Sequence, residues 1–224
     1  MLSRLLSGNI DFASIIIYIL SSLTVIFLTM PVHEFAHGFA ATKLGDPTPR
    51  YQGRMTLNPF AHIDWIGAAC ILLFGFGWAK PVQVNSNNFR SPKRDMAITA
   101  AAGPIANLIV ALIALFVYNI FALIALKNLV FYYIGFFFYY IALINVSLAV
   151  FNLIPIPPLD GSRLLSALLP YKYYYALMRY ERYIFLVLVA LLWIGVLDIP
   201  LNFLTNAVMS FLGLIAGFPF GFIG

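Results

Sequence analysis

Two histidines four residues apart, His33 and His37, with Glu34 directly after the first, are the residues whose types and spacing most clearly carry chemistry. Positions i and i+4 share one face of a helix, so both imidazoles can ligate one metal ion. Glu34 is then placed to take a proton from water activated by that ion. His33-Glu34-Phe35-Ala36-His37 lies within an apolar run long enough to span a bilayer. Three ionisable groups there are costly unless an ion or a water-filled cavity compensates them. A zinc site below the membrane surface implies hydrolysis where water is scarce, which points to peptide bonds inside a membrane. Haem ligation is excluded, because histidines four apart on one helix cannot occupy opposite axial positions of one iron.

Catalytic zinc takes three protein ligands and keeps one position open. The acidic residues are Asp11, Glu34, Asp46, Asp64, Asp95, Asp160, Glu181 and Asp198. Of these, Asp160 sits beyond a helix broken by Pro155, Pro157 and Pro158, next to Gly161, at the end of an apolar segment. Two crossings separate it from the first span, so it can return to the depth of His33 and His37. Its competing role is to cap the half-helix that follows. The competing third ligand is His62, helped by Asp64, although His62 also suits a cap or lining of the segment after it.

These groups need a scaffold, and the composition says which kind. The chain has 224 residues, 62% hydrophobic and 17% aromatic, with 9% charged and a mean hydropathy of +0.94. A polytopic membrane protein requires that composition, and a soluble domain does not. The single cysteine, Cys70, excludes a disulfide framework and a cysteine-rich zinc site. The net charge of +5 sits in short basic segments between apolar runs. It therefore marks cytoplasmic loops near anionic lipid, and no nucleic-acid partner is expected. Arg4 and the apolar stretch after it resemble a signal peptide but lead into the histidine motif without a cleavage site, so the stretch reads as a mature span.

The first span runs from Phe12 to Pro31 and continues as helix to about Leu44, where Gly45-Asp46-Pro47 stops it. Ile63 to Ala79 is apolar but short and broken by Gly67, Gly75 and Gly77. Lys80-Pro81-Val82-Gln83-Val84 has the alternation of a strand. Spans follow at about Met96–Leu126 and Val130–Leu153, then a half-length segment to Pro170, a basic tyrosine-rich belt at Tyr171–Tyr183 and hydrophobic stretches at Ile184–Leu197 and Leu201–Phe222. The expected fold is an all-α polytopic membrane protein with about five full spans, a re-entrant or β-like segment and a half-helix. It is read as one transmembrane domain over 1–224, with a catalytic core at about 12–170, C-terminal helices at about 184–222 and no appended soluble domain.

Positive charge sets the orientation. If Ile63–Ala79 dips and returns, Lys43, Arg50, Arg54, Lys80, Arg90, Lys93, Arg94, Arg163, Lys172, Arg179 and Arg182 are all cytoplasmic, and Arg4 and Lys127 lie outside. A full crossing would place Lys80, Arg90, Lys93 and Arg94 outside, which the positive-inside rule disfavours. It would also strand Asp160 at the face opposite His33.

The HExxH pentapeptide, together with the segment Asn152-Leu153-Ile154-Pro155-Ile156-Pro157-Pro158-Leu159-Asp160-Gly161, resembles the site-2 protease family of intramembrane zinc metalloproteases. The similarity extends to Asn58–Asp64, Gly77–Val82 and Gly103-Pro104-Ile105-Ala106-Asn107. It covers about residues 15–170 and is closest to the compact bacterial and archaeal branch without PDZ or CBS domains. The resemblance implies one zinc per chain held by His33, His37 and Asp160, with Glu34 as general base. It makes Asn152 the motif asparagine, whose amide either hydrogen-bonds the substrate carbonyl or satisfies backbone freed by Pro155. Asn107 either lines the site or packs between helices. Lys80, Pro81, Val82, Gln83 and Val84 are expected to hold an unwound substrate by β-pairing. Transmembrane proteins or peptides are the expected substrates, the bilayer the other partner, and a prokaryotic cell membrane with the site toward the cytoplasm the expected location. The alternative from another class is a metal transporter or channel using the same His/Asp cluster.

Overall fold

A computed structural model of the chain describes residues 12–74, 78–125, 128–170, 172 and 177–220. Arg4, Gly75, Gly77, Lys127 and most of the tyrosine belt lie outside the described residues. The expected all-α membrane architecture is what the chain adopts. No strand occurs among the described residues, and four helical stretches are long and apolar enough to cross a bilayer.

The first of these stretches covers Phe12–Lys43 in three parts: α1 (Phe12–Thr24), a π-helical turn (Val25–Thr29) and α2 (Met30–Lys43). The wide turn has a local cause. Pro31 lacks an N–H and cannot continue the ladder, and the N–H of Met30 reaches back five residues to the carbonyl of Val25. The backbone in lipid must satisfy itself, so the helix widens instead of breaking.

The next two spans are α5 (Pro92–Ala125) and α6 (Leu129–Asn152), the latter started by Asn128, whose side chain accepts from the Val130 N–H at 2.9 Å. They pack against each other, α5 also against α2 and α6 against α1, with the small residues Ala111, Ala114 and Ala142 buried. Lipid tails are as apolar as leucine, so close backbone approach and dispersion hold such helices together. The fourth span, α9 (Asp198–Gly217), packs on both α5 and α6.

Between the spans lie α3 (Thr48–Tyr51), α4 (Trp65–Phe74), α7 (Asp160–Ser166) and α8 (Glu181–Ile194). The segment around α4 re-enters: the Lys80 N–H donates to the His62 carbonyl at 2.7 Å, so the chain leaves and returns at one place. Gly67 allows this return, since a Cβ there would lie 1.9 Å from the carbonyl oxygen of Trp78. The fifth expected span is α8, whose 14 residues cover about 21 Å, short of a hydrocarbon core about 30 Å thick.

Residues Lys80–Val84 are extended but pair with no strand. The alternation seen in sequence has another origin. Two N–H groups on one edge are taken, that of Lys80 by His62 and that of Val82 by the Glu34 carboxylate at 2.9 Å.

Candidate metal centre

α2 presents His33 and His37 on one face, as their spacing requires, and both are buried with Glu34 between them. The proline-broken turn Leu153–Leu159 carries the chain from the end of α6 back to the first residue of α7, which is Asp160. Leu159, not Asp160, occupies the N-cap position of α7. Its Oδ2 lies 3.4 Å from His33 Nε2 and 3.2 Å from His37 Nε2, and the two Nε2 atoms are 3.0 Å apart. Tetrahedral zinc with bonds of about 2.0–2.1 Å needs donors roughly 3.3 Å apart. The three atoms are thus spaced as three ligands of one such ion would be.

Hydrogen bonding fixes the donor set. His37 Nδ1 is 2.8 Å from the Thr99 carbonyl, so it carries the proton and Nε2 presents a lone pair inward. Thr99 lies on α5 just before Gly103-Pro104, where proline interrupts the ladder. Glycine at 103 is demanded by contact: a Cβ there would sit 2.3 Å from His37 Nε2 and 2.6 Å from His33 Nε2. Without a cation, the His37 lone pair and the Asp160 carboxylate face one another across about one atomic diameter. His33 Nδ1 is buried with no hydrogen-bond partner among the described residues. A divalent ion at the centre satisfies the whole set, and the residues fit zinc.

A cavity of about 290 Å³ adjoins the cluster and includes His33, Glu34 and Asp160 in its wall. Asn107 and Pro81 line it, two of the six expected substrate-binding residues, as does Asn152, the expected catalytic asparagine. Lys80, Val82, Gln83 and Val84 are not among the cavity's lining. Val82 is buried and supports Glu34 through its N–H, while Gln83 accepts from Gln52 at 3.0 Å. His62 is not part of the cluster: its Nε2 lies 2.9 Å from the Thr56 carbonyl, and its own carbonyl closes the re-entrant segment.

Residues 119–195 match the family model described as peptidase family M50. The chain is also 39% identical over 181 residues, 80% of its own length and 81% of the relative's, to the Bacillus subtilis (strain 168) protein named "Putative zinc metalloprotease YwhC". It belongs to peptidase family M50. Two further relatives carry similar names. "Putative zinc metalloprotease Rip2" of Mycolicibacterium smegmatis is 30% identical over 174 residues, 74% of this chain and 63% of that protein. "Putative zinc metalloprotease MJ0611" of Methanocaldococcus jannaschii is 32% identical over 161 residues, 68% of this chain and 72% of that protein. No solved structure gives a significant match.

The M50 match takes in Asn152, Asp160 and α8. α8 supplies what sequence reasoning missed: Phe185, Leu188, Val189 and Leu192 line the cavity, opposite the early histidines in chain order. Trp78, edge-on to Phe185 at 5.7 Å, joins them. The available signal was only their spacing at i, i+3, i+4 and i+7, which a helix apolar on every face conceals.

Proposed function

We propose that this M50 chain is an HExxH-type zinc endopeptidase that cleaves transmembrane segments of other proteins, with its site open to the cytoplasmic side. The observation that carries the reading is the meeting of His33, His37 and Asp160, from two distant segments, at 3.0–3.4 Å beside Glu34. The relatives' names add support. Nothing favours transport, and a glutamate lining the cavity without ligating position suits a base.

His33, His37 and Asp160 would hold the zinc, which supplies Lewis acidity toward the scissile carbonyl and brings the pKa of water toward about 7. Glu34 takes the proton of the attacking water and returns it to the leaving amide nitrogen. The Val82 N–H, at 2.9 Å from Glu34 Oε2, keeps that carboxylate oriented. Asn152 and Asn107 line the cavity, and on this reading their amides donate to the carbonyl oxygen as charge develops on it, an interaction worth roughly 3 kcal/mol in other hydrolases. A helical substrate hides its carbonyls in its own ladder and must unwind, and each freed group must find a partner at membrane depth. Because the 80 and 82 amides are engaged and Pro81 has none, the edge available for pairing offers the Pro81 carbonyl and the Gln83 amide.

Glu34→Gln tests the reading in purified, zinc-loaded protein reconstituted with a transmembrane substrate. The expected result is zinc retained at the wild-type ratio with cleavage lower by about 10²–10⁴-fold. Wild-type cleavage by the variant would contradict it.

A further inference from the structure

We infer that α8 is the specificity helix of the site: Phe185, Leu188, Val189 and Leu192 form an apolar subsite that selects a large apolar residue beside the bond to be cut. The inference rests on the protease reading and says what that protease prefers.

The four residues fall at i, i+3, i+4 and i+7, and so form one stripe on one face. That stripe lines the cavity that also holds Glu34 and Asp160. The helix is apolar all round, so burial separates its faces where hydropathy does not. Leu188 is 1% exposed and Leu192 9%, whereas Val187 is 59% and Trp193 84% exposed on the side left for lipid.

The stripe is seated on the site itself. Leu188 and Leu192 pack with Phe151 and Leu159, the neighbours of Asn152 and Asp160, in a cluster separate from the main core between the spans. At its other end Phe185 meets Trp78, two residues before the extended segment begins. The subsite thus runs from the metal ligands to the strip where an unwound substrate would lie. The acidic and amide groups in the cavity wall are Glu34, Asp160, Asn107 and Asn152. All four are committed to the metal or the peptide bond in the mechanism above, so none remains to pair a charged substrate side chain.

The test uses the full chain, zinc-loaded, in phosphatidylcholine–phosphatidylglycerol nanodiscs. The probe is a set of synthetic transmembrane peptides in which each residue of a central window is in turn Ala, Leu, Phe, Trp or Asp, with cut sites read by mass spectrometry. Wild type should cut beside Leu or Phe at least about tenfold faster than beside Ala or Asp. Val189→Phe, which fills the subsite, should shift preference toward Ala by about tenfold. Leu188→Ala, which enlarges it, should shift preference toward Trp. Val187→Ala, on the lipid side, should leave the profile unchanged. If Leu188→Ala does not fold, Val189→Phe carries the test alone. A flat wild-type profile, or variants that are slower with the wild-type preference, would overturn the subsite and leave the protease standing. No cleavage of any peptide by zinc-loaded wild type would remove both.

Discussion

His33, Glu34 and His37 occupy positions where a side chain is normally apolar, and each is less than a tenth exposed. Their tolerance at that depth depends on neighbours that make room and fix tautomers, and Gly103 is the most constrained of these. A methyl group at 103 would overlap both imidazoles, so Gly103→Ala should lower zinc affinity at least about tenfold, the range seen when the outer shell of a metal site is disturbed. Titration of purified protein against a zinc-buffered indicator measures this directly, and wild-type affinity in the variant would show that the rings do not sit against α5. At this scale much was legible. The i, i+4 spacing and the adjacent glutamate need only local helix geometry, and Asp160 betrayed itself through the prolines that break the helix before it. Gly103 was visible as part of a motif, but its contact with the histidines depends on how α5 packs against α2, which no local pattern encodes.

At the scale of elements, the loops after α2 and before α5 are tied together by one buried carboxylate. Asp46 accepts from the Thr48 N–H and hydroxyl, from the Asn88 amide and, through its other oxygen, from the Asn85 N–H at 2.7 Å. This clamp holds the far end of the extended segment whose Val82 amide supports Glu34. Burial alone would push the Asp46 carboxyl up, but the hydrogen bonds from Thr48, Asn88 and Asn85 outweigh it and hold the group below its usual 3.8. A depressed folded value means that the stabilisation is complete above about pH 4 and drains away as pH falls through the folded value. Asp46→Ala should cost about 1 kcal/mol at pH 7, because its donors Thr48, Asn85 and Asn88 are part-buried or exposed and can turn to water, and the gap from wild type should narrow below pH 4. Thermal unfolding in detergent at both pH values checks this, and a gap that widens in acid would contradict it. The misread element lies next to this clamp. Lys80–Val84 looked like a strand because its side chains alternate, yet its amides are paired with a carbonyl and a carboxylate. Sequence records the alternation and is silent about the partner. α8 is the complementary case, since residues facing lipid and residues facing the cavity are drawn from the same apolar set.

For the whole molecule, hydrogen bonds bring three connecting segments to one end: Gln52 to Gln83, Asp46 to Asn85 and Asn88, and the Lys93 ammonium to the Leu169 carbonyl. Those segments carry Arg50, Arg54, Arg90, Arg94 and Arg163, so the re-entrant course of α4 keeps the positive charge on one side. On the proposed reading that end faces the cytoplasm, as the positive-inside rule predicts. In a Cys70→Ser background, cysteines placed at Arg50 and at Arg90 should both be shielded from an impermeant maleimide in intact cells, and a cysteine at Asn128 should react. Opposite behaviour of positions 50 and 90 would mean that the chain crosses between them. Four of the five expected spans, and their order, followed from runs of hydropathy, while the fifth, α8, is too short to cross; the re-entrance was argued from charge. The way α7 packs on α5 and α8 packs on Phe151 and Leu159 did not, because a lipid-like composition gives every helix face the same preference.

The account stands or falls with Asp160 as the third metal ligand, supplied from 123 residues beyond His37 in the chain. The most direct measurement is the zinc bound per chain, by mass spectrometry of the metal, in wild type and Asp160→Ala purified identically and exposed to a graded chelator. One zinc per wild-type chain is predicted, with the variant losing its metal at a chelator strength at least about tenfold weaker. A variant that keeps one zinc as tightly as wild type would contradict the account, since the carboxylate now 3.2 Å from His37 Nε2 would then hold no metal.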